Sequence, residues 1–394
     1  MKLSQIKPSP AQTKKLLKFA VVVVFVFAVG GAGGVYFDQK VLPFIRTNRY
    51  LSKINFFKHV GENVTVIQNT QQVTIKDAES IGEISSQASN ATVSIMSLAS
   101  QKDSVTKVVN KIDKTGTGVV VTSDGLIVTY RQAIIESDAS YKVFLYDGSY
   151  YDATLLGVDN FTNLAYLKVT APNLTAISFG DSSALQAGKK LVAIGNTFGQ
   201  YQNNYGAGVL SNLNKTFNLG GLALASSEKY EGVFEVDFAN PARYLGGPLI
   251  NYNGELIGLV GKLNMDNKDY FFEIPANEIQ ASIKFALAGN FDQRPFLGVY
   301  YVSISKGYAV AHELDLSSGA LVYAPSGKQG LAVLSNSPAE KAGLKINDII
   351  TAVGDKQIDL DNPLSNLISQ NKKGDQIELT VQREGKEIKL PVQL

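Results

Sequence analysis

Hairpin follows hairpin between residues 115 and 260. The stretch TGTGVVVTSDGLIVTY (115–130) sets two β-rich runs around Ser123-Asp124-Gly125, and KVFLYDGSYYDATLLGV (142–158) repeats the arrangement around Asp147-Gly148. KLVAIGNTFGQ (190–200), YGAGVLSNLNK (205–215) and FEVDFAN (234–240) continue it up to RYLGGPLINYNGELIGLV (243–260), which turns at Asn253-Gly254. Asp-Gly and Asn-Gly pairs accept the positive φ that a tight hairpin turn needs, so each run is expected to pair antiparallel with the next. Helical patterning is scarce until ANEIQASIKFALAG (276–289). This region is therefore expected to be all-β, as antiparallel barrels or a sandwich, and the whole chain mainly β.

A module of mixed type follows Asn290. In SPAEKAGLKINDIITAVGD (337–355), Ser337 stands as N-cap, Pro338 at the first helical position and Glu340 at the third, a capping box closed by Gly343. A further helix is expected in NPLSNLISQNKKGD (362–375), with Leu364, Leu367 and Ile368 on one face, before a hairpin turning at Glu384-Gly385. About a hundred residues of mixed strand and helix, 293–394, make one small α+β domain.

The N-terminus has a different constraint. Residues 19–37 carry no charge, which at about 1.5 Å of helical rise per residue is close to the hydrocarbon thickness of a bilayer. Lys2, Lys7, Lys14, Lys15 and Lys18 precede it without an acid, as expected of a cytoplasmic tail. The expected order is tail (1–18), single transmembrane anchor (19–37) and linker (38–77), with the main domains outside the cytoplasm. A cleaved signal peptide is the alternative, but its apolar core usually runs to only about 7–15 residues.

Composition removes several chemistries. There is no cysteine, which excludes disulfides, thiolate metal sites and a cysteine nucleophile. Basic and acidic residues number 37 and 35, so charge argues for no nucleic-acid partner. Imidazole is available only at His59, in the linker, and His312, in AVAHELDL. No cofactor and no metal site are expected.

The order of TGTGVVVTSDGLIVT, DGSYYDATLLGVDNFTNLAYLKV, FGDSSALQAGKKLVAIGNTFG, GGPLINYNGELIGL and SPAEKAGLKINDIITAVGDKQI resembles the HtrA/Deg family of membrane-tethered, trypsin-like serine proteases carrying a PDZ domain. The likeness runs over about residues 80–394. It implies a double β-barrel protease domain (78–289), a PDZ domain (293–394), an extracytoplasmic location and often a trimer. Carried over position by position, the family's histidine falls on Gln132, its aspartate on Asn163, its serine on Leu245 and an oxyanion-hole glycine on Arg243.

Leu245 has no lone pair to attack a carbonyl, and a glutamine amide does not titrate as a base near neutral pH. Arg243 replaces a glycine and has a side chain long enough to reach into the cleft. These four positions lead to the expectation that the chain is not an enzyme but a pseudoprotease, with Leu245 plugging the former site. Two alternatives stay open: an active endopeptidase using a non-standard site, such as a Ser-Lys dyad among Ser182, Ser183, Lys189 and Lys190, or a purely structural envelope protein. For the dyad residues, ordinary turn chemistry is the simpler reading.

In RPFLGVYYVSI (294–304), the resemblance implies that backbone N–H groups around Phe296, Leu297 and Gly298 receive a C-terminal carboxylate, the peptide adding as a strand beside Val299 to Val302. Leu364, Leu367 and Ile368 would then line a pocket for its last side chain, or else simply pack the core. The expected role is binding of unfolded proteins or C-terminal peptides, as a homotrimer or in mixed assembly with an active homologue.

Overall fold

The computed structural model describes residues 80–102, 109–196, 202–220 and 224–394, with scattered positions between 18 and 40. Most of the expected tail, much of 19–37 and nearly all of the linker, His59 included, lie outside the described residues. Among the described residues no helix is long and apolar enough to cross a membrane.

Helix α1 (Ser80–Ala91) leads into six strands, β1 (Thr92–Lys102), β2 (Val109–Val120), β3 (Leu126–Tyr130), β4 (Ala139–Phe144), β5 (Tyr150–Asp159) and β6 (Leu164–Val169). They close into a barrel in the order β1-β2-β3-β6-β5-β4. A second closed barrel, ordered β10-β13-β12-β11-β7-β8, uses β7 (Lys190–Gly195), β8 (Asn204–Asn218), β10 (Glu231–Asp237), β11 (Pro248–Ile250), β12 (Leu256–Met265) and β13 (Lys268–Pro275). Closure removes free strand edges, as a long antiparallel meander requires. One apolar cluster spans both barrels, with Tyr130 of the first meeting Phe272 of the second edge to face at 5.9 Å.

Helix α2 (Ala276–Ala288) buries Ile279, Ser282 and Ala286 and stops at Gly289, whose left-handed φ of 63° suits a residue without Cβ. Beyond it, Arg294 reaches back to Asp159 at the end of β5. Its Nε donates to Asp159 Oδ1 at 3.2 Å, its second arm pairs with Oδ2, and Ser282 and Thr162 donate to the same carboxylate. The guanidinium lies between the rings of Phe285 and Phe161, 4.1 and 4.8 Å from their centres.

The C-terminal domain contains β14 (Tyr300–Ser303), α3 (Lys306–Ala311), β15 (Ala320–Val322), α4 (Gln329–Ala332), α5 (Pro338–Lys341), β16 (Ile349–Val353), β17 (Lys356–Gln357), α6 (Leu364–Ser369), β18 (Gln376–Arg383) and β19 (Lys386–Gln393). Ser337 caps α5 through Glu340 N–H at 3.1 Å, and Glu340 returns to Asn336 N–H at 2.6 Å. Its main sheet runs β19-β18-β16-β15-β14 and ends in β9 (Ala225–Ser226), a strand contributed by the connection between β8 and β10. The strand edge expected to be open beside Val299 to Val302 is thus covered by the chain itself. Two residues among small side chains carry no periodicity from which this strand is legible.

Candidate functional site

The expected functional residues gather at two places, the cleft between the barrels and the loop that opens the C-terminal domain. Gln132 sits in a 3-10 turn, Arg131–Ala133, directly after β3. Asn163 precedes β6 in a left-handed conformation, φ 57°, which asparagine tolerates better than most residues. Both line one small pocket with Tyr130, Arg131, Glu136 and Leu263. Leu245 lies apart from that lining: it ends the 3-10 turn Pro241–Tyr244 and packs, half-buried, against the apolar cluster shared by the barrels.

Next to it Gly246, at φ 78°, approaches so closely that a Cβ would stand 2.3 Å from the Thr117 carbonyl oxygen. Arg243 is solvent-exposed. Its N–H donates to the Asn240 carbonyl at 3.1 Å, so the 3-10 turn uses the group that the family turns toward an oxyanion.

A residue that sequence reasoning passed over reaches the pocket from the side. Lys229 Nζ donates to Asn163 Oδ1 at 3.0 Å and to the Asn160 carbonyl at 2.5 Å. Burial, and then the charge of Arg131, hold its pKa below that of an ordinary lysine. The two serines of the alternative dyad are otherwise employed. Asp181 caps the 3-10 turn that follows it, accepting from the Ser183 N–H and hydroxyl, and Ser182 Oγ accepts from Asn277 N–H at the start of α2. His312 is exposed and stacks on Tyr308 at 3.9 Å.

At the second place the loop Phe296-Leu297-Gly298-Val299 precedes β14. Phe296 is exposed, whereas Leu297 and Val299 are buried and Gly298 takes φ 83°. The N–H groups of Leu297 and Gly298 converge on one oxygen, Glu228 Oε1, at 3.1 and 2.9 Å. Leu364, Leu367 and Ile368 are fully enclosed in the core of the domain, in one cluster with Val299, Tyr301 and Ala225 of β9. Their face is therefore packed among the described residues.

Two residues beyond Lys229, Glu231 is buried between the second barrel and the C-terminal sheet, receiving the Tyr301 hydroxyl at 2.6 Å and the Ser303 hydroxyl at 2.5 Å. Burial pushes its carboxyl up to about 7, against the pull of those two hydrogen bonds. Burial also raises Glu278, to about 7 beside Arg294 and Asp159, and Glu273. An acid whose folded pKa is raised binds its proton more tightly folded than unfolded. Its stabilising contribution is complete below about 4.5 and is lost as pH rises through about 7. Denaturant titrations are expected to show lower stability at pH 8 than at pH 5.5, by about 2 kcal/mol from Glu231 alone, and Glu231→Gln should remove that share.

Comparison with known proteins follows the same division. Residues 116–259 match the trypsin-like peptidase domain family and residues 295–394 the PDZ domain family. The "Probable periplasmic serine endoprotease DegP-like" of Chlamydia trachomatis is 34% identical over 280 residues, covering 70% of this chain and 53% of that protein. "Periplasmic serine endoprotease DegP" of Escherichia coli K12 is 31% identical, covering 71% and 56%. "Serine protease Do-like HtrA" of Bacillus subtilis is 29% identical over 337 residues, covering 81% and 73%.

The chain thus spans about half the length of the DegP-like relatives it matches. Among solved structures, HtrA-type protease AlgW with a tripeptide superposes with a TM-score of 0.61 at 25% identity, covering 79% of this chain and 95% of that one. The same protease with a decapeptide gives 0.60 at 23%.

These relatives are named as serine endoproteases, and that overturns the expectation of a non-enzyme drawn from four positions alone: the comparisons favour an HtrA serine protease. The side chains at 132, 163 and 245 supply neither a nucleophile nor a titrating base, so such chemistry would have to use other groups.

Proposed function

Because the chain belongs to the HtrA/Deg family, with a trypsin-like peptidase domain ahead of a PDZ domain, we propose that it works outside the cytoplasm, anchored through residues 19–37, and captures unfolded polypeptides or C-terminal peptides in the groove beside β14. The observation that carries this reading is the convergence of the Leu297 and Gly298 N–H groups on a single carboxylate oxygen. A free C-terminus presents the same group, and a peptide ending there can extend as a strand along β14. In this reading Gln132, Asn163 and Leu245 stand at the triad-equivalent positions and Arg243 at the oxyanion position. Assembly as a homotrimer, or with an active homologue, belongs to the same proposal.

The test is a panel of decapeptides varied in their last four residues, each made as free acid and as amide, titrated against the full-length chain. The tightest binders are expected to prefer the free acid by about tenfold or more, the scale of a charge-assisted hydrogen bond. Equal binding of acid and amide throughout the panel would contradict the proposal. The relatives' names favour a second reading, proteolysis. Turnover of unfolded casein by the purified chain, beside a Gln132→His, Asn163→Asp, Leu245→Ser variant, measures it directly.

A further inference from the structure

We propose that residues Leu224–Glu231 are a built-in ligand of the PDZ groove, which an incoming C-terminal peptide must displace. The inference rests on the peptide-capture reading and adds an occupant to it. Ala225 and Ser226 pair antiparallel with Tyr301 and Tyr300, and Ser227 continues the ladder, its N–H donating to the Val299 carbonyl at 3.0 Å and its Oγ accepting from Val299 N–H at 2.9 Å. The segment then ends its run along β14 with Glu228 Oε1 held by Leu297 and Gly298. Direction, register and terminal charge are those that a peptide with a free C-terminus would bring, except that a side-chain carboxylate takes the end position. The Ala225 side chain joins the core cluster beside Leu364, Leu367 and Ile368, so the occupant also fills the apolar side of the groove.

Both flanks of the segment are tied down. Asn218 Nδ2 donates to the Ser226 carbonyl at 3.3 Å, and Asn366 on α6 accepts from Glu231 N–H at 3.2 Å and donates to its carbonyl at 2.8 Å. Lys229, next in sequence to the carboxylate, is the residue bonded to Asn163. The strap therefore joins the groove to a triad-equivalent position across a single peptide bond, and displacing Glu228 pulls on the hydrogen bond at Asn163. An internal occupant lowers the apparent affinity for any external peptide by the fraction of time that the groove stands open.

The experiment uses the full-length chain and two variants, Glu228→Gln, which keeps shape but removes the charge, and Ser227→Pro, which removes the N–H donated to the Val299 carbonyl. The probe is the decapeptide NLGGLALASS, residues 218–227, as free acid and as amide; its terminal carboxylate falls where the Glu228 side chain lies. Amide hydrogen exchange at Leu297 and Gly298 without peptide is expected to quicken about tenfold or more in both variants. The free-acid probe should bind them about tenfold more tightly than the unaltered chain. Unchanged exchange in both variants would overturn the internal ligand whatever the probe does. Equal binding of the probe to all three proteins would overturn displacement while leaving peptide capture intact. Faster exchange with no preference for the free acid would support the strap as occupant and overturn the capture reading on which its role rests.

Discussion

Arg294→Ala is expected to destabilise the protein by about 3–5 kcal/mol. Asp159 is wholly inaccessible, and Arg294 supplies its ion pair; without the guanidinium a buried carboxylate keeps only the hydroxyls of Ser282 and Thr162 and the N–H of Phe161. The substitution also removes the plate between Phe285 and Phe161. Arg294→Lys should recover only part of the loss, because a point charge cannot reproduce two donors in a fixed fork. Removing both charges in Asp159→Asn, Arg294→Met should cost much less than Arg294→Ala, since the unpaired buried charge dominates the penalty. Denaturant midpoints of the four proteins decide this. Near-equal midpoints for Arg294→Ala and the double variant would show that the ion pair matters little.

Gly298→Ala is the second large effect, and it reaches function as well as stability. At φ 83° a Cβ costs about 1–2 kcal/mol in backbone energy, and here it would stand 2.4 Å from Ser337 Cβ, the N-cap of α5. The loop must shift, and with it the N–H groups of Leu297 and Gly298 lose their common target. A destabilisation of about 2–4 kcal/mol and loss of the preference for free-acid peptides are expected together. Gly343→Ala is the control: its φ is 82°, but nothing lies within 4 Å of where its Cβ would stand, so only the backbone cost should appear. Equal losses at 298 and 343, with the acid preference kept, would refute the steric account.

How much of this is legible in the sequence follows the range of the interactions. Hairpins around Asp124-Gly125, Asp147-Gly148 and Glu384-Gly385 are local statements, and the glycines at 125, 148 and 385 do take positive φ. The capping box of α5 is equally local and is readable from four residues. The strap is not, because nothing in LASSEKYE marks it as a strand. Its partners are distant: Glu228 meets Leu297 across 69 positions and Glu231 meets Tyr301 across 70.

Gln132, Asn163 and Leu245 can be named from the order of the motifs. Their surroundings cannot, since Lys229 reaches Asn163 across 66 positions. The apolar face of Leu364, Leu367 and Ile368 is visible as a stripe. Which residue covers it is decided by Ala225, far away in sequence.

The central claim is that the loop at Leu297 and Gly298 takes a terminal carboxylate. Nuclear magnetic resonance of the isotope-labelled full-length chain, titrated with a panel binder as free acid and as amide, tests it most directly. Under this account the free acid moves the amide resonances of Leu297, Gly298 and Tyr300 to Val302 together with those of the strap, and the amide leaves Leu297 and Gly298 in place. Shifts confined to the barrels, or identical shifts from acid and amide, would contradict it.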